Sequence, residues 1–224
     1  MVCRCRTGYT AVMVQKKHST RSVEEVANST THAVGFVLGV AVLVILVVHA
    51  SHAGDVWKVV SASIYGATLV CLYLASTLAH AFSFTRARHS LRRIDRTAIY
   101  FLIAGTYTPF TLVAFRGGWG WSIFGTIWGL ACVGVILEVF SSRMSVQSPW
   151  ILYLLMGWLV VVAIVPIVQH LPLAGVLLLA AGGLAYSLGI LFYINTKPFR
   201  HMLWHLSVLM GSALHFLVVF QILA

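Results

Sequence analysis

Seven apolar runs control what this chain can become. They lie near residues 33–50, 59–82, 97–115, 120–140, 149–168, 172–193 and 202–223, each close to the ~20 residues an α-helix needs to cross the hydrocarbon core of a bilayer. In lipid a backbone must satisfy its own polar groups, so runs of this length predict helices. Only 9% of the 224 residues are charged, 60% are hydrophobic and the mean hydropathy is +0.93. So few charges cannot clothe a soluble domain of this size. The predicted fold class is all-α: a polytopic membrane protein with a seven-transmembrane-helix bundle over residues 23–224, preceded by a mobile basic tail over 1–22. The short connections at 51–58, 116–119 and 169–171 predict antiparallel neighbours.

Lys and Arg set the expected orientation. Arg4, Arg6, Lys16, Lys17 and Arg21 lie in the tail, and Arg86, Arg88, Arg92, Arg93 and Arg96 lie between the second and third runs. Arg143, Lys197 and Arg200 fall on the same side, against Lys58 and Arg116 opposite. Basic residues collect in cytoplasmic loops, which puts the amino terminus in the cytoplasm and, after seven crossings, the carboxyl terminus outside. The net charge of +10 has this explanation, so no nucleic-acid partner is expected. The first 30 residues lack the apolar stretch of a signal peptide, and none is expected. The four cysteines form no disulfide framework or metal-binding pattern.

Glycines inside the runs predict close helix contacts, with GxxxG pairs at 35–39 and 125–129. Pro109 and Pro166 predict kinks.

The chemistry is concentrated in a few polar residues. His201-Met202-Leu203-Trp204-His205 opens the last run, and histidines at i and i+4 share a helix face about one turn apart. That spacing lets both reach one metal ion, or simply hydrogen-bond within a polar patch. On the predicted topology His80, at the end of the second run, lies at the same depth, as do Ser76 one turn before it, Asp95 at the start of the third run and His32 at the start of the first. Three neutral histidines with water in the fourth position make a catalytic zinc site, and zinc lowers the pKa of that water toward ~7. Asp95 can hold the water and act as general base, or can pair with Arg92, Arg93 or Arg96. Ser76 can orient His80, stabilise an oxyanion, or bond its own helix backbone. His32 reads as a supporting or capping residue. His215 is ten residues past His205, about 15 Å deeper, and reads as an interhelical hydrogen-bond partner. Glu138 is expected to reach water or Arg143.

These motifs carry a resemblance. Glu25-Val26-Ala27-Asn28 with Thr31-His32-Ala33-Val34-Gly35, Ser76-Thr77-Leu78-Ala79-His80, Asp95 in RRIDRTAIYFLIAGTYTPF, and His201 to His205 through Gly211 and His215-Phe216 resemble the hemolysin III-type members of the progestin and adipoQ receptor superfamily, over roughly residues 24–224. The resemblance implies a cytoplasm-side Zn2+ held by His80, His201 and His205, with Asp95 touching it through water and Ser76 nearby. It also implies a multi-pass protein of the bacterial cell (inner) membrane. The expected function is zinc-dependent intramembrane hydrolysis of a lipid amide or ester, such as a ceramide-like amide, because the site lies among apolar helices with the bilayer as its surroundings. Two alternatives stand beside it: a hemolysin-type membrane-permeabilising protein, and a receptor or regulator with a structural zinc.

Overall fold

The computed structural model describes the backbone of residues 4–140 and 149–224 and the side chains of residues 20–140 and 150–224. Among these the secondary structure is entirely helical. The helices are α1 (Arg4–His52), α2 (Val56–Ala81), α3 (Arg88–Pro109), α4 (Gly118–Phe140), α5 (Pro149–Trp158), α6 (Ile164–His170), α7 (Leu173–Tyr193) and α8 (Arg200–Leu223). Six segments are long and apolar enough to cross a membrane: Thr20–His52, Val56–Ala81, Arg88–Ala114, Gly118–Phe140, Leu173–Tyr193 and Arg200–Leu223. The pair Trp150–Val161 and Ile164–His170, bent by 55°, makes a seventh if it crosses as one span. The tail expected over residues 1–22 lies largely outside the residues whose side chains are described, and Arg143 lies outside them altogether.

The outer surface is apolar, as lipid requires, around a core that is also mainly apolar but holds the polar side chains. Val37, Leu177 and Phe140 are 66%, 59% and 81% exposed, while Ser61, Thr108 and Thr111 are fully buried. Outward apolar side chains meet acyl chains at no cost, whereas a polar side chain there would lack a partner. The threonines inside bond their own helices, Thr108 to the Ala104 carbonyl at 3.0 Å and Thr111 to the Tyr107 carbonyl at 3.0 Å.

α1 packs on α2 and α8, α2 on α3, α3 on α4 and α7 on α8. Two ends of the bundle are defined by contacts. At one, α1 near Thr20, the last turn of α2 and the first turns of α3 and α8 meet, and Arg96 reaches Glu138 at the end of α4. At the other, Lys58 donates to the Ala224 carbonyl at 3.0 Å and Arg116 lies over Trp57.

Both prolines distort their helices, each through its missing N–H and its ring. After Pro109 the chain widens into a π turn over Phe110–Ala114, where the Phe115 N–H donates to the Phe110 carbonyl at 3.0 Å. Ahead of Pro166 the chain leaves the α-helix at Trp158, makes a 3-10 turn over Leu159–Val161 and restarts at Ile164. The ring of Pro166 crowds the carbonyl four residues back, at Val162, so the break falls upstream of the proline itself.

The glycines divide. A Cβ on Gly35 would come within 2.6 Å of the Tyr73 ring, so the 35–39 pair does hold a close contact. Gly125, Gly129 and Gly183 would meet nothing within 4 Å, which corrects the expectation of close packing through 125–129. That face of α4 looks outward, and Gly134 and Gly120 make the inward contacts instead. A Cβ on Gly120 would stand 2.2 Å from the Thr111 carbonyl oxygen and 2.8 Å from that of Phe115. Gly120→Ala is expected to cost ~1–3 kcal/mol by overpacking rigid backbone, read as a lower melting temperature in detergent. Gly125→Ala should match or exceed the wild type, since Ala is the better helix former. Equal melting of the two variants would contradict this packing.

Candidate metal centre

Two helices contribute three imidazoles to a largely buried cluster at the end of the bundle where α8 begins. His80 ends α2, and His201 and His205 occupy successive turns of α8. One ligand atom from each ring lies within 4.8 Å of the other two. Ring centroids stand 5.0 Å apart for His80–His201, 4.9 Å for His80–His205 and 4.6 Å for His201–His205. His80 is 5% exposed and His205 2%. The geometry brings together the three histidines named from the sequence, and they could hold one metal ion.

The partners of the other ring nitrogens test that fit. His80 Nδ1–H donates to Glu25 Oε2 at 2.7 Å, while its Nε2 is buried with no hydrogen-bond partner. His205 Nδ1–H donates to the Asn28 carbonyl at 3.3 Å. The tautomers follow from these acceptors. A metal-ligating histidine almost always has one nitrogen held by a carboxylate or carbonyl and presents the other to the ion. An orphaned Nε2 beside two more imidazoles is costly without a ligand, so the residues present fit a metal.

Glu25 is the functional residue that sequence reasoning missed. It is 8% exposed and its second oxygen accepts from Arg92 Nη2 at 2.9 Å, so one carboxylate ties α1 to α2 and α3. The signal was its place on α1: Glu25, Asn28 and His32 fall at i, i+3 and i+7, a single helix face. From the sequence Glu25 enters only as part of the motif that carries the resemblance, with no role at the histidines.

The remaining residues take distinct places. His32 stacks on His205, centroids 3.6 Å apart and planes 17° apart, and meets Tyr73 edge-on at 5.1 Å. Neither of its nitrogens has a partner. It supports the cluster by packing and is not among the three converging ligands. Asp95 and Ser76 line the cavity that holds the histidines, and Asp95 neighbours His80 and Ser76. Arg92 and Arg96 pair with Glu25 and Glu138, and among the described residues no ion pair joins Asp95 to either of them or to Arg93. Glu138 does not reach water: it is 6% exposed, with Arg96 Nε donating to it at 2.7 Å. His215 is an interhelical partner as expected, Nε2–H donating to the Leu179 carbonyl at 3.1 Å.

The cluster sits in the wall of a cavity of about 1150 Å3. Its lining is polar at the cluster's end, with Arg21, Glu24 and Lys197, and apolar further along the bundle, with Phe115, Ile167 and Leu179.

Fold and site together define a class: a multi-pass integral membrane protein whose helix ends gather three histidines above an apolar cavity. The Haemolysin-III related family profile matches residues 20–216, and the chain belongs to that family. It is 44% identical over 197 residues to Hemolysin-3 of Bacillus cereus, covering 88% of this chain and 90% of that protein. It is 42% identical to the Hemolysin-3 homolog of Bacillus subtilis (strain 168), with coverage of 88% and 92%. The human monocyte to macrophage differentiation factor is 30% identical over 207 residues, with coverage of 89% and 84%. The hemolysin III-type resemblance read from the motifs is borne out.

Metal analysis of purified variants tests the cluster. His80→Ala and His205→Ala are expected to lose bound metal, and Glu25→Ala to weaken it ~10–100-fold by freeing the His80 ring. Undiminished metal in both histidine variants would remove the site.

Proposed function

We propose that this protein is a zinc-dependent intramembrane hydrolase of a lipid amide or ester, ceramidase-like in its chemistry. The observation that carries the reading is the histidine cluster at the polar end of a cavity lined further along by apolar residues, a shape suited to a headgroup at one end and an acyl chain at the other. Zn2+ suits three imidazoles, and when bound it supplies Lewis acidity and makes water acidic enough to react near neutral pH. His80, His201 and His205 would hold the ion, with Glu25 and the Asn28 carbonyl fixing two of the rings. The Asp95 carboxylate orients the attacking water and takes its proton. The Ser76 hydroxyl, a turn from His80, donates toward the oxygen on which negative charge develops. Phe115, Ile167 and Leu179 receive the chain and exclude water from it. The excess of Lys and Arg at the cluster's end of the bundle supports an inward amino terminus, so that this end faces the cytoplasm.

Turnover by purified, zinc-loaded protein on ceramides, acyl amides and acyl esters tests this reading. Asp95→Asn should keep zinc and lose ~10²–10⁴ in rate. Full zinc occupancy with no turnover on any of these substrates would sink it.

A second reading takes the printed name of the two bacterial relatives, hemolysin, as its support: a protein that permeabilises membranes. Release of an entrapped dye from liposomes, equal for wild type and His80→Ala, would favour it over catalysis.

A further inference from the structure

α8 begins without help from its own side chains. Phe199, the residue that opens it, sits at φ 60° and ψ 2°, and no side chain caps the helix from within. That left-handed position is cheap for Gly or Asn and strained for a bulky aromatic. It is the one non-glycine residue with positive φ among those described. What meets it is Glu24 of α1, whose Oε1 accepts the Phe199 N–H. A carboxylate at a helix N-terminus is favoured by the unpaired N–H groups and by the helix dipole. Glu24 therefore does for α8, from a neighbouring helix, what the Glu of a capping box does from within: it accepts the N–H of the N-cap residue.

The place of this bond gives it meaning. His201 is two residues beyond Phe199 and His205 one turn further, so the fastened point is the root of two of the three imidazoles. Glu25, the next residue on α1, holds the third through its ring nitrogen. Successive side chains on a helix diverge by roughly 100°, which lets one turn of α1 reach α8 with one carboxylate and α2 and α3 with the other. Glu24, Pro198 and Phe199 all line the cavity beside the histidines.

We propose that Glu24 is a positioning residue for the histidine triad: by capping α8 through the Phe199 N–H it sets the His201–His205 turn at the separation from His80 that metal binding needs. The proposal rests on the metal reading of the cluster. Zinc affinity, measured on the full chain in detergent by competition with a chromophoric chelator, tests it beside the melting temperature of the metal-free protein. Wild type should bind about one zinc per chain. Glu24→Ala should bind ~10-fold or more weakly with an unchanged metal-free melting temperature. Glu24→Gln, whose amide oxygen still accepts the N–H, should bind like the wild type. In the Glu24→Ala background, Phe199→Gly should recover part of the loss, because Gly takes the left-handed conformation without strain. If Glu24→Ala cannot be purified, Glu24→Asp, which shortens the reach by one methylene, carries the same expectation of weaker binding. Wild-type affinity in Glu24→Ala overturns the proposal, as does a loss in Glu24→Gln as deep as in Glu24→Ala. A wild type that binds no zinc overturns the metal reading and takes this proposal with it.

Discussion

The hydrogen bond from His80 to Glu25, 2.7 Å long and buried, is the contact on which the rest of this end of the molecule depends. Ionisable groups inside a membrane protein are expensive and persist only with partners. Glu25 meets that requirement with His80 on one oxygen and Arg92 on the other, so α1, α2 and α3 converge where they do. The magnitudes rank this contact above its neighbours. Neutral hydrogen bonds between transmembrane helices contribute ~0.6 kcal/mol on average and rarely above ~1.7 kcal/mol. The knot in which Tyr73 and Tyr186 both reach Ser212 Oγ at 2.9 Å belongs to that class. Stripping one partner from a buried charge costs ~3–5 kcal/mol. Glu25 therefore matters more to the geometry of the histidines than the deeper hydroxyl network does.

A second ion pair repeats the logic at the same end. Arg96 and Glu138 join α3 to α4 while Tyr153 donates to the Arg96 carbonyl at 3.0 Å. With Glu25 and Glu138 each neutralised by an arginine, Asp95 is left among the cavity residues with His80 and Ser76. Glu25, Glu138 and Asp95 thus stand in one layer with different partners: two brace helices, and one faces the space where a ligand would sit. Below that layer the cavity wall turns apolar, and the bend of 55° between Trp150–Val161 and Ile164–His170 lies alongside it at Trp158 and Ile164.

Much of this was legible in the sequence because hydrocarbon thickness is a one-dimensional ruler. The runs at 59–82, 172–193 and 202–223 became Val56–Ala81, Leu173–Tyr193 and Arg200–Leu223, each within a few residues. The histidine triad was legible as well, since i, i+4 spacing and equal depth are properties of the chain and its crossings. The bond from His80 to Glu25 was not, because the shared face of Glu25, Asn28 and His32 marks a polar stripe on α1 without saying which helix it meets. Gly125 and Gly129 misled for the same reason. A GxxxG pair states that close approach is possible, and only the packed neighbours decide which face of a helix is used. The break before Pro166 was half legible: the residue announced a distortion, but where the helix lets go depends on the carbonyl its ring crowds.

The central claim is that His80, His201 and His205 bind one metal ion through imidazole nitrogen. X-ray absorption at the zinc edge on the purified protein tests it most directly. The account predicts about one zinc per chain, with three histidine nitrogens at ~2.0–2.1 Å and one oxygen completing four ligands. Absence of stoichiometric metal, or a shell dominated by sulfur at ~2.3 Å, would contradict it.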